Sequence, residues 1–159
     1  MPEVPEISVN FRTGDGDTCA ALAERELSRH FERIHVHHGD QPDEHIAAVR
    51  RSVALVVVIG PLWLAYADEH FHNALDTHDD WLRAEILAAF DADVPVVPVL
   101  VDRAERLRAV DLPVRLARLA ELVYVRIDTG NPEPGLRELA ELVPEPKTVA
   151  PQGGEGANR

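Results

Sequence analysis

Val53-Ala54-Leu55-Val56-Val57-Val58-Ile59 is the stretch that decides the fold. It is continuously apolar, rich in β-branched side chains, and shows no alternation of apolar and polar positions. A strand with one wet face alternates; a strand covered on both faces does not. The run therefore predicts a buried strand in a parallel sheet, and Gly60-Pro61 ends it.

The same reading extends outward in both directions. Toward the N-terminus, Asp43–Arg51 predicts a short helix carrying Ile46 and Val49, Arg33–His37 a short alternating strand, Thr18–Phe31 a helix, and Ile7–Arg12 a first strand. Toward the C-terminus, Asp80–Phe90 predicts a helix with Asp79 or Asp80 able to cap it. Val94–Val101 predicts a strand in spite of Pro95 and Pro98, Leu112–Leu122 a helix, Val123–Ile127 a strand, and Pro134–Leu142 a last helix. Strands alternating with helices imply an α/β domain with a parallel sheet covered on both faces. With five strands, the flavodoxin-like order 2-1-3-4-5 is expected. One domain fits the 159 residues, with a body over residues 1–143 and a Pro-, Gly- and Glu-rich tail over 144–159 expected to lack structure.

Composition narrows the function. A net charge of −12 repels phosphate backbones and argues against nucleic-acid binding. The longest stretch free of charged or strongly polar side chains, Val53–Ala67, is broken by Gly60-Pro61 and is shorter than the ~18 residues a spanning helix needs. Met1–Glu6 has no apolar stretch, so no secretory signal is expected. Cys19 is the one cysteine, which suits a reducing compartment and predicts a small packing residue rather than a nucleophile. A soluble cytoplasmic protein is the expectation.

In doubly wound sheets, ligands bind beyond the carboxyl ends of the strands where the winding reverses. That rule marks Arg12–Asp17 after strand 1 and Gly60–Asp80 after strand 3. In the first loop, Gly14 and Gly16 permit close backbone approach, Arg12 offers a forked donor for a phosphate, and the next helix exposes free N–H groups. An ordinary turn with Asp15 or Asp17 as a cap explains the same residues. Strand 1 sends Ile7, Val9 and Phe11 one way and Ser8, Asn10 and Arg12 the other. Polar groups near the carboxyl end of a central strand can line a site. In the helix over Asp80–Phe90, Leu82, Ile86, Ala89 and Phe90 form one apolar stripe, and Trp81 and Glu85 lie side by side on its flank. Glu85 at that margin is placed to be partly desolvated and to stabilise a developing cation; a surface glutamate near Arg83 fits the same position. His35 and His37 share a strand face, a spacing compatible with two metal ligands. No Cys pair or helical His-Glu motif joins them or His38, His70 and His72, so solvated histidines and no metal site are expected.

Four segments in order resemble the TIR (Toll/interleukin-1 receptor) domain of the bacterial type, across about Ile7 to Val143. Ile7-Ser8-Val9-Asn10-Phe11-Arg12 with Gly14-Asp15 resembles the first family box. Ser52 to Leu64 is similar to the third strand and its exit. Asp80-Trp81-Leu82-Arg83-Ala84-Glu85-Ile86 resembles the Trp-x-x-x-Glu motif, and Val96 to Asp102 the fourth strand. The resemblance implies cleavage of NAD+ between nicotinamide and ribose, giving ADP-ribose or a cyclic ADP-ribose, in defence or signalling. NAD+ would be a substrate, with no cofactor. Glu85 would be the catalytic glutamate, Phe11, Arg12, Gly14 and Asp15 would line the nucleotide pocket, and Trp81 would pack beside it. It also implies self-association or docking to other TIR or effector proteins, by which such domains act without catalysis in some cases. His38–Asp43, after strand 2, is shorter than the corresponding family loop, which takes part in assembly and site closure. A nucleoside deoxyribosyltransferase-like enzyme shares the sheet and the use of a glutamate on a sugar. A phospho-receiver does not fit: strand 3 ends in Ile59-Gly60, and the single lysine, Lys147, lies in the tail.

Overall fold

A computed structural model of the chain describes residues 4–37, 42–64 and 81–144. Five strands, β1 (Glu6–Asn10), β2 (Arg33–His37), β3 (Leu55–Ile59), β4 (Val96–Val101) and β5 (Val125–Ile127), form one sheet. All the pairings are parallel and the order is β2-β1-β3-β4-β5. This is the expected doubly wound α/β arrangement. The helices are α1 (Asp17–Leu27), α2 (Pro42–Arg51), α3 (Trp81–Asp91) and α4 (Glu133–Leu142).

The sheet separates two cores. On one face, Ile7, Val9, Phe11, Val56, Val58, Val97 and Val99 pack under α1 and α4 through Cys19, Ala23, Leu27 and Leu139. On the other, Leu55, Val57, Ile59 and Leu100 pack under α2 and α3 through Val49, Leu82, Ile86 and Ala89. Every residue of β3 is fully or almost fully buried, because its alternate side chains enter both cores. That double burial is why its sequence lacks alternation.

Pro98 sits inside β4 opposite Val57. The Leu55 N–H bonds to the Pro95 carbonyl, so residues 95, 97 and 99 turn their backbone groups toward β3, and residue 98 turns toward β5. Pairing with β5 begins only at Val99. The missing N–H of Pro98 therefore falls where the ladder has no partner strand, a position a proline can occupy.

Residues 112–122 depart from the expected α-helix. Val114–Glu121 is a 3-10 helix, preceded by a shorter one over Ala109–Asp111. Pro113 separates the two, and the buried Leu116 and Leu119 are three apart, a spacing that returns to one side in a three-residue turn. Helix α1 also stops at Leu27, short of Phe31. No helix among the described residues is long and apolar enough to cross a membrane. Pro144 apart, the C-terminal tail lies outside the described residues, as do Asp79 and Asp80.

Candidate functional site

The site is built where β1 and β2 end. The register sets Asn10 beside His37 and Ser8 beside His35, so these side chains share the sheet face covered by α2 and α3. Ser8 is buried against Ser52, with hydroxyl oxygens 2.7 Å apart, and Ser52 donates to the Ala48 carbonyl. One step further along the strand, α3 lowers Glu85 onto Asn10 and His37. The Asn10 Nδ2 donates to Glu85 Oε1 at 3.1 Å, and His37 Nδ1 lies 2.8 Å from the same oxygen. From α2, His45 Nδ1 lies 3.7 Å from Glu85 Oε2, and its ring stacks on His37 with centroids 4.1 Å apart and planes within 6°.

Glu85 has no exposed surface and His37 has 1%, whereas His45 keeps 20% of its side chain in solvent. A carboxylate removed from water is tolerated only where donors replace its hydration. Here an amide and an imidazole do so. When Glu85 is ionised, the 2.8 Å contact requires a proton on His37 Nδ1, so His37 is either the Nδ1–H tautomer or the imidazolium. Asn10 is equally buried, and its Oδ1 has no hydrogen-bond partner among the described residues. The carboxylate is thus held between two donors, with a spare acceptor beside it.

No protein-family model matches this chain, and no curated protein matches it.

The remaining sequence-derived residues take varied positions. Arg12 is buried at the end of β1; its Nε donates to the Trp63 carbonyl at 3.3 Å and its guanidinium lies 5.7 Å from the centre of the Trp63 ring. Asp15 accepts the Leu62 N–H at 2.7 Å, tying the loop after β1 to the exit of β3. Gly14 adopts φ +87, which favours glycine, and gives its N–H to Asp17. Phe11 lies in the core under α1 and α4, on the face away from α3. Trp81 is half-buried and packs on the core that contains Leu82 and Ile86. The structure therefore brings Glu85 together with Asn10, gathers Arg12, Gly14 and Asp15 around the β1 and β3 exits, and sends Phe11 to the opposite core. Cys19 is a buried packing residue, its thiol pushed up to about 12 by burial and by the negative charge of Asp102.

Two expectations are corrected. Glu85 does not sit at the margin of α3: it is as buried as Leu82 and Ile86. His37 is not a solvated histidine, because the carboxyl end of β2 lies beneath α2 and α3. His35 comes nearer to that expectation, with 32% of its side chain exposed, although its Nε2 lies 2.6 Å from Glu6 Oε1. His38, His70 and His72 lie outside the described residues. The pairing of His45 with residue 37 carried no signal in the sequence, since it depends on how α2 crosses the sheet. Helical spacing gives only its side: His45 sits on the inward side of α2, one turn before the buried Ala48 and Val49.

Proposed function

We propose that this chain is a TIR-type NAD+ glycohydrolase acting in defence or signalling, with Glu85 as its catalytic residue. The observation that carries the reading is the fully buried Glu85 carboxylate, held by Asn10 and His37 at the carboxyl ends of β1 and β2. Nicotinamide leaves NAD+ as a neutral molecule, so the ribosyl group passes through a transition state with positive charge on the ring. A carboxylate already fixed and stripped of water stabilises that charge without reorganising. The same carboxylate and the spare Asn10 oxygen suit ribose hydroxyls. Arg12, beside the loop with Gly14 and Asp15, supplies the cationic fork that a pyrophosphate needs. Water attack gives ADP-ribose; attack by an adenine nitrogen gives a cyclic product.

The test is release of free nicotinamide from NAD+ by the purified protein at high concentration, with Glu85→Gln as its partner. The wild type is expected to release nicotinamide and the variant to lose at least about 100-fold in rate. Equal rates remove Glu85 from the mechanism. Cleavage of deoxynucleosides in preference to NAD+ moves the chain to the deoxyribosyltransferase-like class.

A docking module without catalysis is the second reading. The complete enclosure of Glu85 favours it, as do Val110 and Val114, which are 82% and 91% exposed in the turns before β5. No nicotinamide from either protein, together with concentration-dependent self-association, selects it.

A further inference from the structure

Two imidazoles and a carboxylate converge at one point, and three protein ligands with an open fourth position make a common metal-binding set. His37, His45 and Glu85 each bring a ligand atom within 4.8 Å of the others. We propose that His37, His45 and Glu85 form a binding site for a borderline divalent metal ion of the Zn2+ or Co2+ type.

The donor set is the first argument. Imidazole nitrogen suits zinc, cobalt and nickel, whereas magnesium and calcium require oxygen cages. The spacing is the second. With metal–ligand bonds of about 2.0–2.2 Å, two ligands of a tetrahedral ion stand about 3.4 Å apart. His45 Nδ1 and Glu85 Oε2 are 3.7 Å apart, longer than a hydrogen bond and close to that span. His37 Nδ1 and Glu85 Oε1, at 2.8 Å, need only separate slightly.

Rigidity and access are the third argument. His37 stands on a strand, His45 on α2 and Glu85 on α3, so the ligands sit on regular elements. Asn10 Nδ2 holds Glu85 from behind, as a carboxylate ligand is held in an established metal site. A surface groove of about 520 Å3 lined by His35, His37, Glu44, His45 and Arg51 leads to the histidines from solvent. A lone pair lies in the plane of its imidazole, so both rings cannot bind one ion while stacked face to face. Binding therefore requires His45, the partly exposed ring, to turn out of the stack, so its present 3.7 Å from Glu85 shows reach rather than final geometry.

Binding does not depend on NAD+ cleavage. One consequence does rest on the reading above: a metal on Glu85 neutralises the charge a ribosyl cation would need, so occupancy slows nicotinamide release.

The experiment uses the full chain, stripped with a chelator and titrated with Zn2+, Co2+ and Mg2+. Thermal unfolding and Co2+ visible absorption are the readouts. One equivalent of Zn2+ or Co2+ is expected to raise the melting temperature and Mg2+ to leave it unchanged, with Co2+ giving the intense bands of a low-coordinate site. His45→Ala, at the partly exposed ligand, is expected to weaken Zn2+ binding on the order of tenfold or more, and His45→Asp to restore part of it. Far-UV circular dichroism confirms that both variants are folded. Absence of saturable Zn2+ and Co2+ binding overturns the site, as does His45→Ala binding like the wild type. Metal binding by a protein that releases no nicotinamide even when stripped of metal refutes the enzymatic reading and leaves the site intact.

Discussion

Glu6 shows at the residue scale how this protein keeps charge inside. Its carboxyl is nearly buried at the start of β1; burial pushes its pKa up, and hydrogen bonds from Arg51 and His35 more than reverse this, holding it below the ordinary range. Arg51 Nε and Nη2 donate at 3.2 and 3.3 Å, and His35 Nε2 lies at 2.6 Å. A carboxyl whose folded pKa lies below its unfolded value of about 4.3 adds stability above that pH and loses it as pH falls through the folded value. Glu6→Gln is therefore expected to cost about 1 kcal/mol at pH 7, because Arg51 is half-exposed and screened. The difference should shrink as pH falls through the lowered folded value, where the wild-type carboxyl is itself protonated. Urea denaturation of both proteins from pH 3 to pH 7 measures it, and a constant difference across that range refutes the assignment.

Among the elements, the loops after β1 and β3 meet at a point with no spare room. A Cβ added to Gly60 would strike the Asp15 backbone carbonyl and its carboxyl group. Backbone cannot yield as a flexible side-chain tip does, so Gly60→Ala is expected to destabilise by about 2–4 kcal/mol, read as a lowered melting temperature. A melting temperature unchanged within error would show that the crossing relaxes freely. The elements themselves were largely legible in the sequence, because β3 and β4 are unbroken apolar runs and α3 carries a clear apolar stripe. The 3-10 turns over 109–121 were not, since a three-residue leucine spacing over a short segment also fits an α-helix. The site was legible in part. Glu85 and the polar face of β1 could be read locally, but the burial of His37 and the arrival of His45 depend on three elements converging. No local pattern encodes that convergence.

For the molecule as a whole, the central strands β3 and β4 feed both cores at once. Losing either helical layer would expose half of every such strand, so the two halves should not unfold separately. Trp63 is completely buried in one core, while the helices that determine circular dichroism lie on both faces. Tryptophan fluorescence and far-UV circular dichroism are expected to give superimposable urea transitions, and two resolved midpoints would show independent layers.

The hydrogen bond from the Leu62 amide to Asp15 carries a mechanical consequence. It rivets the rims above β1 and β3 into one fixed jaw, with Arg12 clamped to the Trp63 carbonyl on the same side. Drawing those rims apart to admit a ligand to Glu85 would break both contacts.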